Sequence, residues 1–115
     1  ETPAHYGDGE QCRDFVQRPD IAAGTARALA DAAPFACYNL GTGRGTTVNA
    51  IAAELVRRLA PGATLRHLPA HAGELRNSVA DIGAARSRLG YAPHRSLQDS
   101  YEEIIAWNRA VLNGT

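Results

Sequence analysis

Between a glycine-rich turn and a Pro-Gly stop lies the run that most restricts what this chain can become. Val48, Ile51, Ala52, Leu55, Val56 and Leu59 recur at i, i+3, i+4 and i+7 without a gap, which gathers the large apolar side chains on one helical face. Pro61-Gly62 ends the helix. An amphipathic helix is stable mainly through what its apolar face packs against, and here the supply is short. Ile, Leu, Val and Phe number 22 of 115 residues, and alanine makes up much of the rest of the 44% apolar fraction. With a formal net charge of zero, that scarcity reads as a thin core rather than as disorder. A chain of 115 residues fits one domain, and a domain of that size buries comparatively little surface. An apolar surface covered by something else, a further domain or a second copy, is therefore expected.

The other elements follow from local signals. Ala4 to Tyr6, Asp8-Gly9 and Cys12 to Val16 read as an N-terminal β-hairpin with a turn tolerant of positive φ. Pro19 breaks the second strand, and Asp20 suits the N-cap of a helix from Ile21 to about Ala33 whose apolar face is mostly alanine. Cys37 to Leu40 is a short strand candidate leading into Gly41-Thr42-Gly43-Arg44-Gly45. Thr64 to Leu68 alternates as a strand does, Pro69 to Gly73 is a loop, and Arg76 to Ala80 is extended. A short helix runs from about Asp81 to Leu89 and stops at Gly90. Ser96 caps the last helix with Asp99 at capping-box spacing, and Leu97, Tyr101, Ile104, Ile105 and Leu112 share its apolar face with Trp107 beside them. The expected fold is a small mixed α/β domain of about four helices with short strands and an N-terminal hairpin.

Several function classes drop out. Twelve basic residues balance twelve acidic ones, so charge gives no reason to expect nucleic acid or an anionic membrane as partner. No segment approaches the roughly 20 apolar residues of a membrane span. Cys12 and Cys37 are the only cysteines and stand in no ligand pattern, which fits two reduced thiols in a cytoplasmic protein. His67 and His71 do not make a metal site, and His5 and His94 are isolated. No Tyr-x-x-x-Lys, no Gly-x-Ser-x-Gly and no close carboxylate pair is present, so no catalytic residue is expected.

Three places could touch a ligand. Strand, Gly41 to Gly45 and helix, in that order, can hold a phosphate on helix-start N–H groups. The same residues more simply make a plain turn, and the spacing is neither a dinucleotide fingerprint nor a P-loop. Arg13, next to the first turn, can grip a diphosphate through two parallel bonds, or be a solvated arginine on an edge strand. His71, Glu74 and Arg76 crowd one loop, either as a binding loop or as polar surface.

Taken together, three segments carry a resemblance. They are Tyr6-Gly7-Asp8-Gly9-Glu10-Gln11-Cys12-Arg13-Asp14-Phe15-Val16, then Tyr38-Asn39-Leu40-Gly41-Thr42-Gly43, then Gly73-Glu74-Leu75-Arg76-Asn77-Ser78-Val79-Ala80-Asp81. In order and spacing they resemble the late motifs of the NAD-dependent epimerase/dehydratase family, the extended branch of the short-chain dehydrogenase/reductase superfamily. Leu89-Gly90-Tyr91-Ala92-Pro93 is similar to the family's LGW-x-P segment. The resemblance spans nearly the whole chain. It is specific for the family and less so for the reaction, since UDP-glucose 4-epimerases, dTDP-glucose dehydratases and UDP-glucuronate decarboxylases share these motifs.

The resemblance implies that residues 1–115 are a carboxy-terminal subdomain that holds a nucleotide-diphosphate sugar, with a UDP or dTDP base. It implies that NAD and the catalytic Tyr and Lys belong to an amino-terminal Rossmann domain outside this sequence, so the chain alone binds no cofactor. By position, Arg13 contacts the diphosphate, Val48 packs on the nucleoside, and His71 and Glu74 bracket diphosphate and ribose. Two departures stand out. His71 replaces the family's arginine, exchanging a permanent fork for an imidazole. Gln17-Arg18-Pro19 replaces an aromatic–aliphatic–acidic run. A stand-alone binding module that kept the fold and lost the chemistry is the competing expectation.

Overall fold

The computed structural model describes residues 2–33 and 35–114. They form two compact units, one of Glu1–Asp14 and Gly43–Ala80, the other of Phe15–Thr42 and Asp81–Thr115.

The first unit is built on the helix that the periodicity predicts, α2 (Val48–Leu59). Thr47 caps it, its hydroxyl accepting from the Ala50 N–H at 3.1 Å. Two further N–H groups of its first turn donate to a loop, Val48 to the Gln11 carbonyl at 3.2 Å and Asn49 to the Gly9 carbonyl at 2.9 Å. These bonds favour the plain-turn reading of Gly41 to Gly45, because the N–H groups at the start of the helix are spent inside the unit. Gly43 donates to Asp14 Oδ2 at 2.9 Å, and a Cβ on Gly45 would stand 2.1 Å from Cys12 Sγ. The turn is glycine-rich because the backbone passes close to β2.

The expected hairpin does not form. β1 (Ala4–Tyr6) pairs in parallel with β4 (Arg66–Leu68), with His5 opposite His67. β2 (Cys12–Arg13) is the centre of a three-stranded sheet, antiparallel to β3 (Thr46–Thr47) and parallel to β5 (Asn77–Ser78). Gly7 and Gly9 both take positive φ, 72° and 75°, and Asp8 Oδ1 accepts the Glu10 N–H at 2.9 Å. The Asp-Gly signal thus makes a wide turn that sends the two strands to different sheets.

The second unit holds the buried apolar side chains found among the described residues: Ile82, Ala85, Leu89, Tyr91, Tyr101 and Ile105. Its helices are α1 (Arg18–Leu29), α3 (Gly83–Leu89) and α4 (Tyr101–Leu112), the last preceded by a 3-10 turn over Gln98–Ser100. α1 starts earlier than expected because Pro19 falls in its first turn, where no N–H is needed. Asp20 is therefore not its cap. The residue is buried, and its carboxylate accepts the N–H groups of His94 at 3.1 Å and Arg95 at 3.2 Å. Cys37 to Leu40 is not a strand. The Tyr38 hydroxyl donates to Asp31, and Asn39 Nδ2 donates to the Asp81 carbonyl at 3.2 Å. Gly90, at φ 60°, ends α3 as expected. The Ser96–Asp99 box closes reciprocally, with Ser96 N–H to Asp99 Oδ2 at 3.0 Å and Asp99 N–H to Ser96 Oγ at 3.2 Å. The apolar face read onto α4 splits: Tyr101 and Ile105 are buried, whereas Ile104, Trp107, Val111 and Leu112 are exposed. Among the described residues no helix is long and apolar enough to cross a membrane, both cysteines are free, and no cluster of three or more metal-ligating side chains occurs.

Ion pairs on α2 carry a pH signature. Glu54 accepts from Arg57 Nε at 2.9 Å and is also bonded to Arg58, and these arginines bring its carboxyl down to about 2. The Ser96 bonds likewise lower Asp99. Both groups are more acidic folded than unfolded, so each contributes stability that is lost as pH falls; for Glu54 the loss runs from about pH 5 towards 2. Glu54→Gln should show a flatter loss of helical circular dichroism over that acid range than the wild type. Superimposable acid curves would mean that the pairs do not favour the folded state.

Candidate functional site

The first unit contains a cleft of about 310 Å³ lined by Gly7, Asp8, Gln11, Ala70, His71, Glu74 and Arg76. Gly7, Asp8 and Gln11 come from the wide turn after β1, and Ala70, His71 and Glu74 from the loop that leaves β4. The Gly7 N–H donates to the Leu68 carbonyl at 2.9 Å, extending the β1–β4 ladder up to the cleft edge. The Cys12 N–H donates to the Arg76 carbonyl at 2.8 Å and fixes the other side. Rigid ladders therefore carry the two flexible-looking loops.

Each side chain has a definite setting. Gln11 is 8% exposed, and its amide donates to the Tyr6 carbonyl at 3.0 Å. Tyr6 in turn faces the His71 ring, centroids 4.2 Å apart and tilted by 40°. Arg13 lies just outside the lining. Its guanidinium donates to the Cys12 carbonyl at 2.9 Å and makes a longer 3.5 Å contact to the Arg76 carbonyl. Its other nitrogen stands 3.9 Å from Glu74 Oε1, both side chains about one-third exposed. At that distance the pair is a loose electrostatic contact rather than a hydrogen bond. Arg76 donates to Asp8 Oδ2 at 2.8 Å. The Glu10 N–H first, and then Arg76, hold the Asp8 carboxyl below the usual carboxylate range.

The structure thus brings together three of the four residues singled out in the sequence, Arg13, His71 and Glu74, although Arg13 and Glu74 lie some 60 positions apart. Val48 does not line the cleft; it is half-buried at the start of α2 and reaches it only through its N–H bond to Gln11. Gln11 and Asp8 were missed as site residues. Asp8 carried only a turn signal, and nothing local distinguishes Gln11 from any polar residue ahead of a strand.

Chemically the cleft offers the Arg76 guanidinium, with that of Arg13 at its margin, two carboxylates, an imidazole against a tyrosine, and a buried amide. It can bind an anion flanked by hydroxyl groups. It offers no nucleophile–base pair.

The comparisons bear on the same residues. No protein-family model matches the chain. It is 30% identical to the UDP-glucuronate 4-epimerase of Thermodesulfobacterium geofontis, over 90% of this chain and 32% of that enzyme. The UDP-glucose 4-epimerase of Thermotoga maritima, solved with UDP-glucose, superimposes with a TM-score of 0.86 at 30% identity, covering 97% of this chain and 36% of that one. The dTDP-glucose 4,6-dehydratase of Streptomyces venezuelae, solved with NAD, gives 0.82 at 29% identity, covering 94% and 34%. By sequence and by fold the chain is a relative of the nucleotide-sugar epimerases and dehydratases. It spans about a third of the length of the relatives it matches. The recurrence of two enzyme types at similar identity agrees with motifs that mark the family more than the reaction.

Proposed function

We propose that the chain is the carboxy-terminal part of an NAD-dependent nucleotide-sugar epimerase or dehydratase, and that its cleft binds the nucleotide diphosphate of the sugar donor. The observation that carries this reading is that His71 and Glu74 line one cleft and that Arg13, from a distant part of the sequence, stands at its margin 3.9 Å from Glu74. Arg13, steadied by the Cys12 carbonyl, presents its fork to phosphate oxygens. Glu74 exchanges its loose arginine contact for ribose hydroxyls, which a carboxylate accepts well. His71 lies against Tyr6 and adds a donor. Val48, at the first position of α2, supplies an apolar wall for a nucleoside extending past Gln11.

The hydride chemistry is assigned to residues outside this sequence. NAD supplies that chemistry when bound, but the residues at hand do not fit it. After the glycine-rich turn, the N–H groups that open the helix, those of Val48, Asn49 and Ala50, are bonded to Gln11, Gly9 and Thr47 rather than turned to a pyrophosphate. The chain's own part is to bind and orient. The exposed Ile104, Trp107 and Val111 of α4 are the surface that a further domain or a second copy would cover.

Position 71 offers a graded test. Arginine there adds a permanent charge and a second fork, so His71→Arg should tighten UDP-glucose binding several-fold by calorimetry. Weaker binding would show a loop shaped for a different ligand.

A further inference from the structure

Resting on that reading, we infer that Arg76 is the second phosphate-binding cation of this cleft, and that Asp8 occupies it until a diphosphate displaces the carboxylate. The cleft with its margin is electrically balanced, Arg76 in the lining and Arg13 beside it against Asp8 and Glu74, which by itself gives a diphosphate little net attraction. The two arginines are held differently. Arg13 is partly buried and fixed to a carbonyl of its own strand. Arg76 is 62% exposed and held by a single bond to a 55% exposed Asp8. Exposed ion pairs of this kind are weak and exchangeable, whereas an arginine on phosphate can form two parallel charge-assisted bonds.

Position supports the exchange. The Arg76 carbonyl is bonded to the Cys12 N–H at 2.8 Å and touched by the Arg13 guanidinium at 3.5 Å, so Arg13 on the central strand lies close to Arg76 at the start of the neighbouring β5. Two forks at one mouth suit two phosphate groups. Asp8 is held from its other oxygen by the Glu10 N–H, which keeps the turn in place when Arg76 leaves. The arrangement also compensates for the imidazole at 71, since a second permanent cation reaches the cleft from the adjacent strand.

The test is calorimetric titration of the whole chain with UDP-glucose, UDP and UMP, for the wild type, Asp8→Asn, Arg76→Gln and Arg13→Ala. Asparagine keeps the acceptor for the Glu10 N–H while removing the charge, and matched circular dichroism melts confirm folding. Asp8→Asn is expected to bind UDP three- to tenfold more tightly. Arg76→Gln is expected to bind UDP at least fivefold more weakly while leaving UMP within twofold, so that the preference for two phosphates shrinks. Its affinity should also depend less steeply on salt. If Arg76→Gln binds UDP like the wild type while Arg13→Ala does not, the role of Arg76 is overturned and the proposed function stands. If neither UDP nor UDP-glucose binds any of the four proteins, both are overturned.

Discussion

Replacing Gly9 by alanine should lower the melting temperature by about 10 °C or more. Two costs add at this position. Its φ of 75° is a left-handed conformation, which a Cβ makes unfavourable by about 1–2 kcal/mol. That Cβ would also lie 1.9 Å from Asn49 Oδ1 and 2.6 Å from His5 Cε1. Asn49 cannot simply turn aside, because its amide donates to the Asp8 carbonyl at 2.9 Å and to Glu10 at 2.6 Å. Overpacking of this kind adds about 1–3 kcal/mol, giving a combined cost of about 2–5 kcal/mol. Gly62 is the control: its φ is 89°, but nothing lies within 4 Å of the added Cβ, so Gly62→Ala should show the conformational cost alone. Equal melting shifts for the two variants would mean that the Gly7–Gln11 turn is not packed against α2. Because that turn carries Asp8 and Gln11, Gly9→Ala should also lose ligand affinity at temperatures where the rest of the chain stays folded.

The same turn shows what could be read in advance and what could not. α2, its Pro-Gly stop and the Ser96–Asp99 box were legible because each depends on residues within a few positions of one another. The hairpin was not, because a three-residue strand such as Ala4–Tyr6 carries no information about its partner; its ladder is completed by Arg66–Leu68, sixty positions away. Asp20 misled for a related reason. An acidic residue after a proline is a good local cap, yet here two distant backbone N–H groups, those of His94 and Arg95, claim the carboxylate. Cys37 to Leu40 has strand-like composition, but its side chains are engaged by Asp31 and Asp81, and no neighbouring strand takes up its backbone.

The site divides in the same way. Arg13, His71 and Glu74 stand in recognisable motifs, so resemblance to the family pointed at them; their residue types alone favoured a solvated arginine and a polar surface loop. Asp8 and Gln11 could not be found from sequence, since one looks like a turn former and the other like a surface amide. Gln11 is buried only because the chain folds back over it; its side-chain amide donates to the carbonyl of Tyr6, the residue whose ring faces His71. The Gly41–Gly45 turn went the other way. It had the form of an anion site, and tertiary packing used its glycines and the following N–H groups for internal bonds.

The other large effect expected is on binding. Arg13 combines a fixed orientation with a free outer edge: one nitrogen is anchored on the Cys12 carbonyl, and the other faces Glu74 at 3.9 Å. A charge-assisted contact of that kind contributes about 1.5–3 kcal/mol, so Arg13→Ala should weaken UDP-glucose binding at least tenfold. The anchoring bonds run to backbone carbonyls that water can satisfy at this partly exposed position, so the variant should stay folded. The measurement that bears most directly on the account is therefore a calorimetric titration of the chain with UDP-glucose, wild type beside Arg13→Ala, with folding checked by circular dichroism. The account predicts saturable binding by the wild type and a loss of tenfold or more in the variant. Equal binding by both would place the diphosphate elsewhere, and absence of binding by the wild type would contradict a nucleotide-sugar site in this cleft.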